Sequence, residues 1–308
     1  MHDARQPQGD PLAGASSRPR RPARDEAVTL LARAGLPPPL ARPAGRPDFA
    51  GDPFSPLLRA AAATPGTVPG ALRGRLLQRV AASAADARRL HTQRHADTVA
   101  TEVAPGVTLR TLYRAVPGRA RRPGEPEHVA LVELAPRASW SPPGAAMQRE
   151  CLVLGGQAQV GEQPLQTLDY LVRPAADAGV ARWSSDTGAL LLLRESAPVE
   201  GAPARPSTQH AAGARWDDYA PGIRRRILWQ QGAQAAMLYH ALPGAAVPRH
   251  GHRHDEECLM LAGDFFLDEV LLRRLDYQIA PAGTEHRVAA TDTGVVIYAH
   301  GDVDLDLR

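Results

Sequence analysis

The stretch Gly244-Ala245-Ala246-Val247-Pro248-Arg249-His250-Gly251-His252-Arg253-His254-Asp255-Glu256-Glu257-Cys258-Leu259-Met260-Leu261-Ala262-Gly263 decides how this chain is read. One residue separates His250 from His252, three lie between His252 and Glu256, and Gly244 and Gly263 bracket the set. Further on, Pro281-Ala282-Gly283-Thr284-Glu285-His286 places another histidine just behind a Pro-Gly turn signal. Residues two apart on a strand leave the same face, so His250 and His252 can point together. Glu256 shares that face if the pairing is regular, and His286 arrives from a separate strand. Three imidazoles and a carboxylate converging inside a barrel form a site for a first-row divalent metal. Two alternatives sit in the same stretch: His254 could pair with His252, and Glu257 could replace Glu256.

Working outward, the run after the carboxylates has a twin. Glu257-Cys258-Leu259-Met260-Leu261-Ala262-Gly263 repeats Glu150-Cys151-Leu152-Val153-Leu154-Gly155-Gly156 at an offset of 107. Leu275-Asp276-Tyr277 and Pro281-Ala282 repeat Leu168-Asp169-Tyr170 and Pro174-Ala175 at that same offset. Ala220-Pro221-Gly222-Ile223 with Leu228-Trp229 repeats Ala104-Pro105-Gly106-Val107 with Leu112-Tyr113 at 116, and Asp292-Thr293-Gly294 repeats Asp186-Thr187-Gly188 at 106. Order and spacing are both kept, so one all-β domain of about 100 residues is present twice. The drop from 116 to 107 puts about nine extra residues into the first copy, in the Arg-, Pro- and Gly-rich loop near Gly118–Glu127. The expected divisions are an N-terminal segment over 1–95, a first barrel over 96–197 and a second over 213–308, with a Pro-rich linker between.

Carrying the four ligand positions back by the offset gives Pro143, Ala145, Arg149 and Gly179, none of them a metal ligand. The first copy therefore reads as a degenerate barrel serving as scaffold, interface or apolar pocket. Glu257 recurs as Glu150 in this copy without ligands, which points to a structural role for both. The Gly244 and Gly263 spacings favour His250, His252 and Glu256, leaving His254 at the rim. Tyr239, His240, Tyr277 and Tyr298 fall on strands near the site and read as packed barrel residues that could also line it.

The N-terminal segment differs in texture. Residues 1–95 carry 15 Arg against 7 Asp and Glu, while the whole chain is +3, so a basic arm precedes an acidic body. All basic residues are Arg, with no Lys or Asn anywhere, a bias of composition and not a nucleic-acid signal. Pro, Ala, Gly and Arg dominate the first fifty residues, which bury too little apolar surface to offset their ordering entropy. Leu72, Leu76, Val80, Ala84 and Ala87 form one apolar stripe, predicting a helix over 71–90 that packs on a barrel or docks a protein partner. Only Cys151 and Cys258 are present, no run is long enough to span a membrane, and no signal peptide is visible. A reducing cytoplasm and two free buried thiols are expected.

Gly-x5-His-x-His-x3-Glu-x6-Gly followed by Pro-x-Gly-x2-His resembles the two motifs of the cupin superfamily. More narrowly, Pro-Gly-Val/Ile ahead of Leu-Tyr/Trp, then His-x-His and the Glu-Glu pair, resembles the ChrR-like cupins. That family includes the metal-binding domain of the anti-sigma factor ChrR and metal-dependent dioxygenases. The resemblance covers about residues 100–308 and implies a double-stranded β-helix for each copy, with His250, His252, Glu256 and His286 as ligands. Two positions depart from the pattern: Leu275 stands where a Gly usually opens the second motif, and Ala290 where an Asn often closes it. ChrR-like proteins that restrain a sigma factor usually carry an N-terminal His-x3-Cys-x2-Cys zinc domain, and here no Cys precedes Cys151.

The resemblance implies one divalent metal, zinc first, with iron, manganese or nickel also suited. It implies a regulatory or sensing protein related to anti-sigma factors, contacting a sigma factor or another protein through the N-terminal helix. The alternative is an iron-dependent dioxygenase acting on a small carbonyl compound. A small-molecule ligand and a homodimer fit both readings, whereas membrane and direct nucleic-acid partners fit neither.

Overall fold

A computed structural model of the chain describes residues 74, 75, 77, 78 and 89–308, except 119, 144–146, 176–180, 199–204, 269, 289, 290, 305 and 308. Within the helix expected over 71–90, residues 74, 75, 77, 78 and 89 are helical, Leu90 is not, and the others lie outside the described residues together with 1–70. The rest is a sequence of short antiparallel strands in two sheets, of 10 and 11 strands. Each sheet folds over on itself as a barrel, so the chain is all-β, with two cupin barrels in tandem.

The barrels repeat each other strand for strand. In the first, Ala189–Ser196 lies between Pro126–Leu134 and Gln148–Val160; in the second, Val295–Asp302 lies between Gln234–Ala241 and Glu256–Leu267. Glycine fixes one shared turn of this framework. Gly156 and Gly263 have φ of 79° and 76°. A Cβ on either would come within 2.1 Å of the carbonyl oxygen of Gly188 or Gly294, so no side chain fits at these two equivalent positions.

The run Cys258-Leu259-Met260-Leu261 is apolar throughout because both of its faces are buried. Leu259 and Leu261 join a cluster shared with Leu152, Leu154, Tyr170 and Leu192 of the first barrel, while Met260 packs inside the second with Phe265 and Leu267. In the first barrel Leu152 and Leu154 face the shared cluster, and Cys151 and Val153 face the interior. Alternation of period two thus sorts one sequence run into an interface and a barrel core. Both cysteines are free and buried, and burial pushes both thiols up, so they stay protonated.

The two barrels also exchange arms. His91–Gln93, ahead of the first barrel, pairs with Tyr277–Ala280 of the second. Ser207–Gln209, ahead of the second, pairs with Tyr170–Arg173 of the first. Each arm is then clasped by an equivalent aspartate. Asp276 accepts from the Arg94 guanidinium at 2.8 Å and the His95 backbone N–H at 2.9 Å. Asp169 lies 3.1 Å from His210 Nδ1 and accepts from the Ala211 N–H at 2.6 Å. The residue before each clasp, Leu168 and Leu275, is buried with φ of 67° and 66°. A left-handed leucine costs roughly 1–2 kcal/mol relative to a glycine's freedom there. Burial of its side chain offsets that cost, which accounts for Leu275 standing where the motif usually has Gly.

Between the barrels lies a buried polar network with the same pseudo-symmetry. Arg194 of the first barrel donates to Glu150 at 2.9 Å and to Glu257 of the second at 2.8 Å. Tyr277 donates to Glu257 at 2.9 Å, and Tyr170 donates to Glu150. The position equivalent to Arg194 in the second barrel is His300, 3.5 Å from Glu150. Burial, reinforced by Arg194, pushes His300 down to about 3, so its ring is neutral. Burial raises Glu257, whereas at Glu150 burial is outweighed by the Arg194 charge together with its other partners, among them the Tyr170 and Gln148 hydrogen bonds, and the carboxyl is held low.

Candidate metal centre

His250 lies on the strand Val247–Gly251, directly opposite His286 on Glu285–Val288. Glu256 opens the strand Glu256–Leu267. His252 falls just past the end of its strand, not on it as the spacing predicts, because both ladders of that strand end at Gly251. Its backbone is held by the second motif instead. The Gly283 N–H donates to the His252 carbonyl at 2.8 Å, and the His252 N–H donates to the Thr284 carbonyl at 3.3 Å. Asp255 adds a third link by accepting from the Ala282 N–H at 2.8 Å. The Pro-Gly turn is therefore what aims His252.

One ligand atom from each of His250, His252, Glu256 and His286 lies within 4.8 Å of all the others. The three histidines are buried, and neither ring nitrogen of His252 has a hydrogen-bond partner. An imidazole buried with both nitrogens unsatisfied is costly unless something else takes the lone pair. Nε2 of His252 and of His286 stand 3.4 and 3.2 Å from Glu256 Oε2. The edge of a tetrahedron with metal–nitrogen bonds of about 2.0–2.1 Å is about 3.3 Å. Burial alone would raise the Glu256 carboxyl, but His252, His286 and His250 around it hold it well below the usual carboxylate range. Donor set, spacing and unsatisfied ring nitrogens all fit a divalent cation.

Behind the donors is a cavity of about 60 Å³, walled by apolar side chains and by His250, Glu256 and His286. Tyr239 and Cys258 line it, while Tyr277 and Tyr298 belong to the apolar cluster shared by the two barrels. His240 is buried but does not line the cavity, and Glu257 faces the interface rather than the site. His254 sits at the rim, its Nδ1 2.5 Å from Asp302. Asp302 also accepts from the Arg253 N–H at 2.7 Å. It thereby pins the loop joining His252 to Glu256, a role the bare spacing does not reveal.

The first barrel has other occupants at the corresponding places. Arg149, at the position of Glu256, is buried and pairs with Glu195 at 2.7 Å. Glu195 in turn lies 3.1 Å from His128 Nδ1. Trp140 pairs with Trp183, where the second barrel pairs Val247 with Val288. Val160 likewise pairs with Trp183 as Leu267 does with Val288. Counting back two residues from Trp183 makes Ala181, rather than Gly179, the counterpart of His286. Pro143 is described; Ala145 and Gly179 lie outside the described residues.

Comparison with known proteins places this fold. Residues 205–304 match the family described as ChrR Cupin-like domain. No curated protein matches the chain. Among solved structures, a candidate dioxygenase from Nostoc punctiforme superposes with a TM-score of 0.52 at 15% identity, covering 72% of this chain and 85% of that one. An oxalate decarboxylase from Bacillus subtilis gives 0.52 at 12%, covering 70% and 77%. Hazelnut vicilin, from Corylus avellana, gives 0.51 at 11%, covering 68% and 85%. These likenesses concern the fold, which the three share with this chain across both barrels. The chain is a tandem of two cupin barrels, and residues 205–304 of it form a ChrR cupin-like domain.

Proposed function

We propose that the second barrel holds one divalent metal, zinc first, through His250, His252, Glu256 and His286, and that the chain is a regulatory or sensing protein. The observation that carries this reading is the convergence of four protein donors within 4.8 Å of one another, two of the imidazole nitrogens 3.2 and 3.4 Å from the Glu256 carboxylate, around an imidazole with no hydrogen-bond partner. Four protein ligands close a zinc site, which favours a structural or sensing role over hydrolysis. The ChrR cupin-like match supports the same reading. The helix expected over residues 71–90, within the basic N-terminal segment, is the proposed contact for a sigma factor or another protein, in the cytoplasm. Among the described residues no helix is long and apolar enough to cross a membrane.

A second reading, a metal-dependent dioxygenase, is favoured by the cavity beside the donors. With iron in a six-coordinate arrangement, the metal would supply Lewis acidity and redox chemistry, with positions left for substrate and O₂. This chain's own residues would then exclude water through the apolar walls and hold Glu256 ionised against the metal. Competition with a chelator for zinc and oxygen uptake by the Fe(II)-loaded protein separate the two. Zinc affinity on the order of nanomolar without oxygen uptake supports the sensor. Oxygen uptake driven by a small carbonyl compound and lost in His286→Ala supports the dioxygenase.

A further inference from the structure

The two exchanged arms look alike, but they lie against different neighbours. His91–Gln93 runs along Tyr277–Ala280, with His91 opposite Ile279 and Gln93 opposite Tyr277. The other edge of Tyr277–Ala280 carries residues 256–259, and Ala280 stands opposite Glu256 itself. One strand therefore separates the arm from a metal donor. Past Ala280 the chain enters the turn at 281–284, whose Gly283 N–H and Thr284 carbonyl hold the His252 backbone, and it then reaches His286.

The arm is fastened along the whole of that strand. At its start Arg94 donates to Asp276 at 2.8 Å and to the Leu271 carbonyl, and the His95 N–H donates to the same aspartate. In the middle the Gln278 amide donates to the Thr92 hydroxyl at 2.7 Å. At its far end the Arg89 guanidinium lies 3.5 Å from the carbonyl of Gly283, the residue whose N–H holds His252. The arm thus touches the turn that aims one donor and leads into another. Ser207–Gln209 lies along Tyr170–Arg173 in the same manner. There the strand beyond presents Arg149 opposite Arg173, where the second barrel has Glu256 opposite Ala280.

We infer that the arm over residues 89–95 is coupled to the metal site of the second barrel, so that loading of the site decides whether the chain ahead of Arg89 is held against the barrel or released. The inference rests on the metal reading above and assigns that site an output, because the helix expected over 71–90 leads into this arm. Without a cation, both ring nitrogens of His252 stay buried and unpaired, a cost relieved when the turn moves and lets the ring reach water. That movement takes away the arm's far contact and disturbs the strand beneath it. A bound cation ties His252, His286 and Glu256 together and fixes the same strand and turn. By linkage, arm docking must tighten metal binding by the factor through which metal tightens docking.

The test compares the two arms of the full chain by hydrogen exchange with and without zinc, the bound zinc being counted by elemental mass spectrometry. Exchange at an arm reports local opening rather than global unfolding. Zinc is expected to slow exchange over residues 91–95 by about fivefold or more and to leave residues 207–211 unchanged. In chelator competition, Arg94→Ala should weaken zinc binding by a matching factor, while His210→Ala, which loosens the other arm's clasp, should not; circular dichroism checks that both variants fold. Bound zinc with no slowing at 91–95, or with equal slowing at both arms, overturns the coupling, and the wild-type chain alone decides this. A well-folded Arg94→Ala with wild-type zinc affinity overturns it as well. A wild-type chain that takes up no zinc contradicts the metal reading itself, and the coupling with it.

Discussion

The two barrels share a framework and differ in what fills it. Trp140 and Trp183 occupy in the first barrel the places that Val247 and Val288 hold in the second, where the cavity lies. Arg149 stands where Glu256 stands, and its guanidinium, paired with Glu195, puts an organic cation into the barrel that lacks metal ligands. Three shared pairs belong to turns and to the contact between barrels: Gly156 with Gly263, Asp169 with Asp276, and Glu150 with Glu257. Interior side chains touch one another and can change together, whereas an interface residue must suit two barrels at once. Constraint therefore gathers at the junction, and chemistry is kept or lost inside.

That contrast can be broken in several places. The largest effect is expected at the junction, where Arg194→Gln leaves Glu150 and Glu257 buried without their shared cation. Urea unfolding should show a loss of about 3–5 kcal/mol. Trp183→Val opens the filled barrel and should cost about 3 kcal/mol in the same assay. The mirror substitution, Val288→Trp, should cost less because it enters existing space.

The next effect is one of pH. His300 has a folded pKa of about 3, below its unfolded value of about 6.5. Its contribution is therefore complete above about pH 6.5 and is lost as pH falls toward 3. Between pH 7 and 4, wild type should lose about 2–3 kcal/mol more than His300→Gln, read from unfolding midpoints at each pH. The smallest effect concerns the loop between two ligands. Asp302→Ala should weaken metal affinity by about 10–100-fold while the fold stays intact, measured by chelator competition alongside circular dichroism.

Much of this was legible in the sequence. The offsets of 116, 107 and 106 exposed the duplication, and the His-x-His-x3-Glu and Pro-x-Gly-x2-His spacings named the four donors that the fold brings together. Other features were hidden for physical reasons. The exchanged arms had a signal, since Thr92-Gln93 returns as Thr208-Gln209 at the same offset of 116. Two residues are too few to stand out, and nothing local says that an arm pairs with the other barrel. The filling by Trp140 and Trp183 depends on pairing register, whose offset from the second barrel shifts by two residues between the strands Tyr170–Arg173 and Trp183–Ser185. Arg194 and His300 share a position but not a charge, so the junction network does not look like a repeat. His252 was placed on a strand because spacing carries no information about where a ladder breaks.

The central claim is that one barrel keeps a metal and the other cannot. Elemental mass spectrometry of the purified full chain, beside His286→Ala, tests it most directly. The account predicts about one divalent metal per chain in the wild type and none in the variant. Two metals per chain, or none in the wild type even after reconstitution with zinc, iron or manganese, would contradict it.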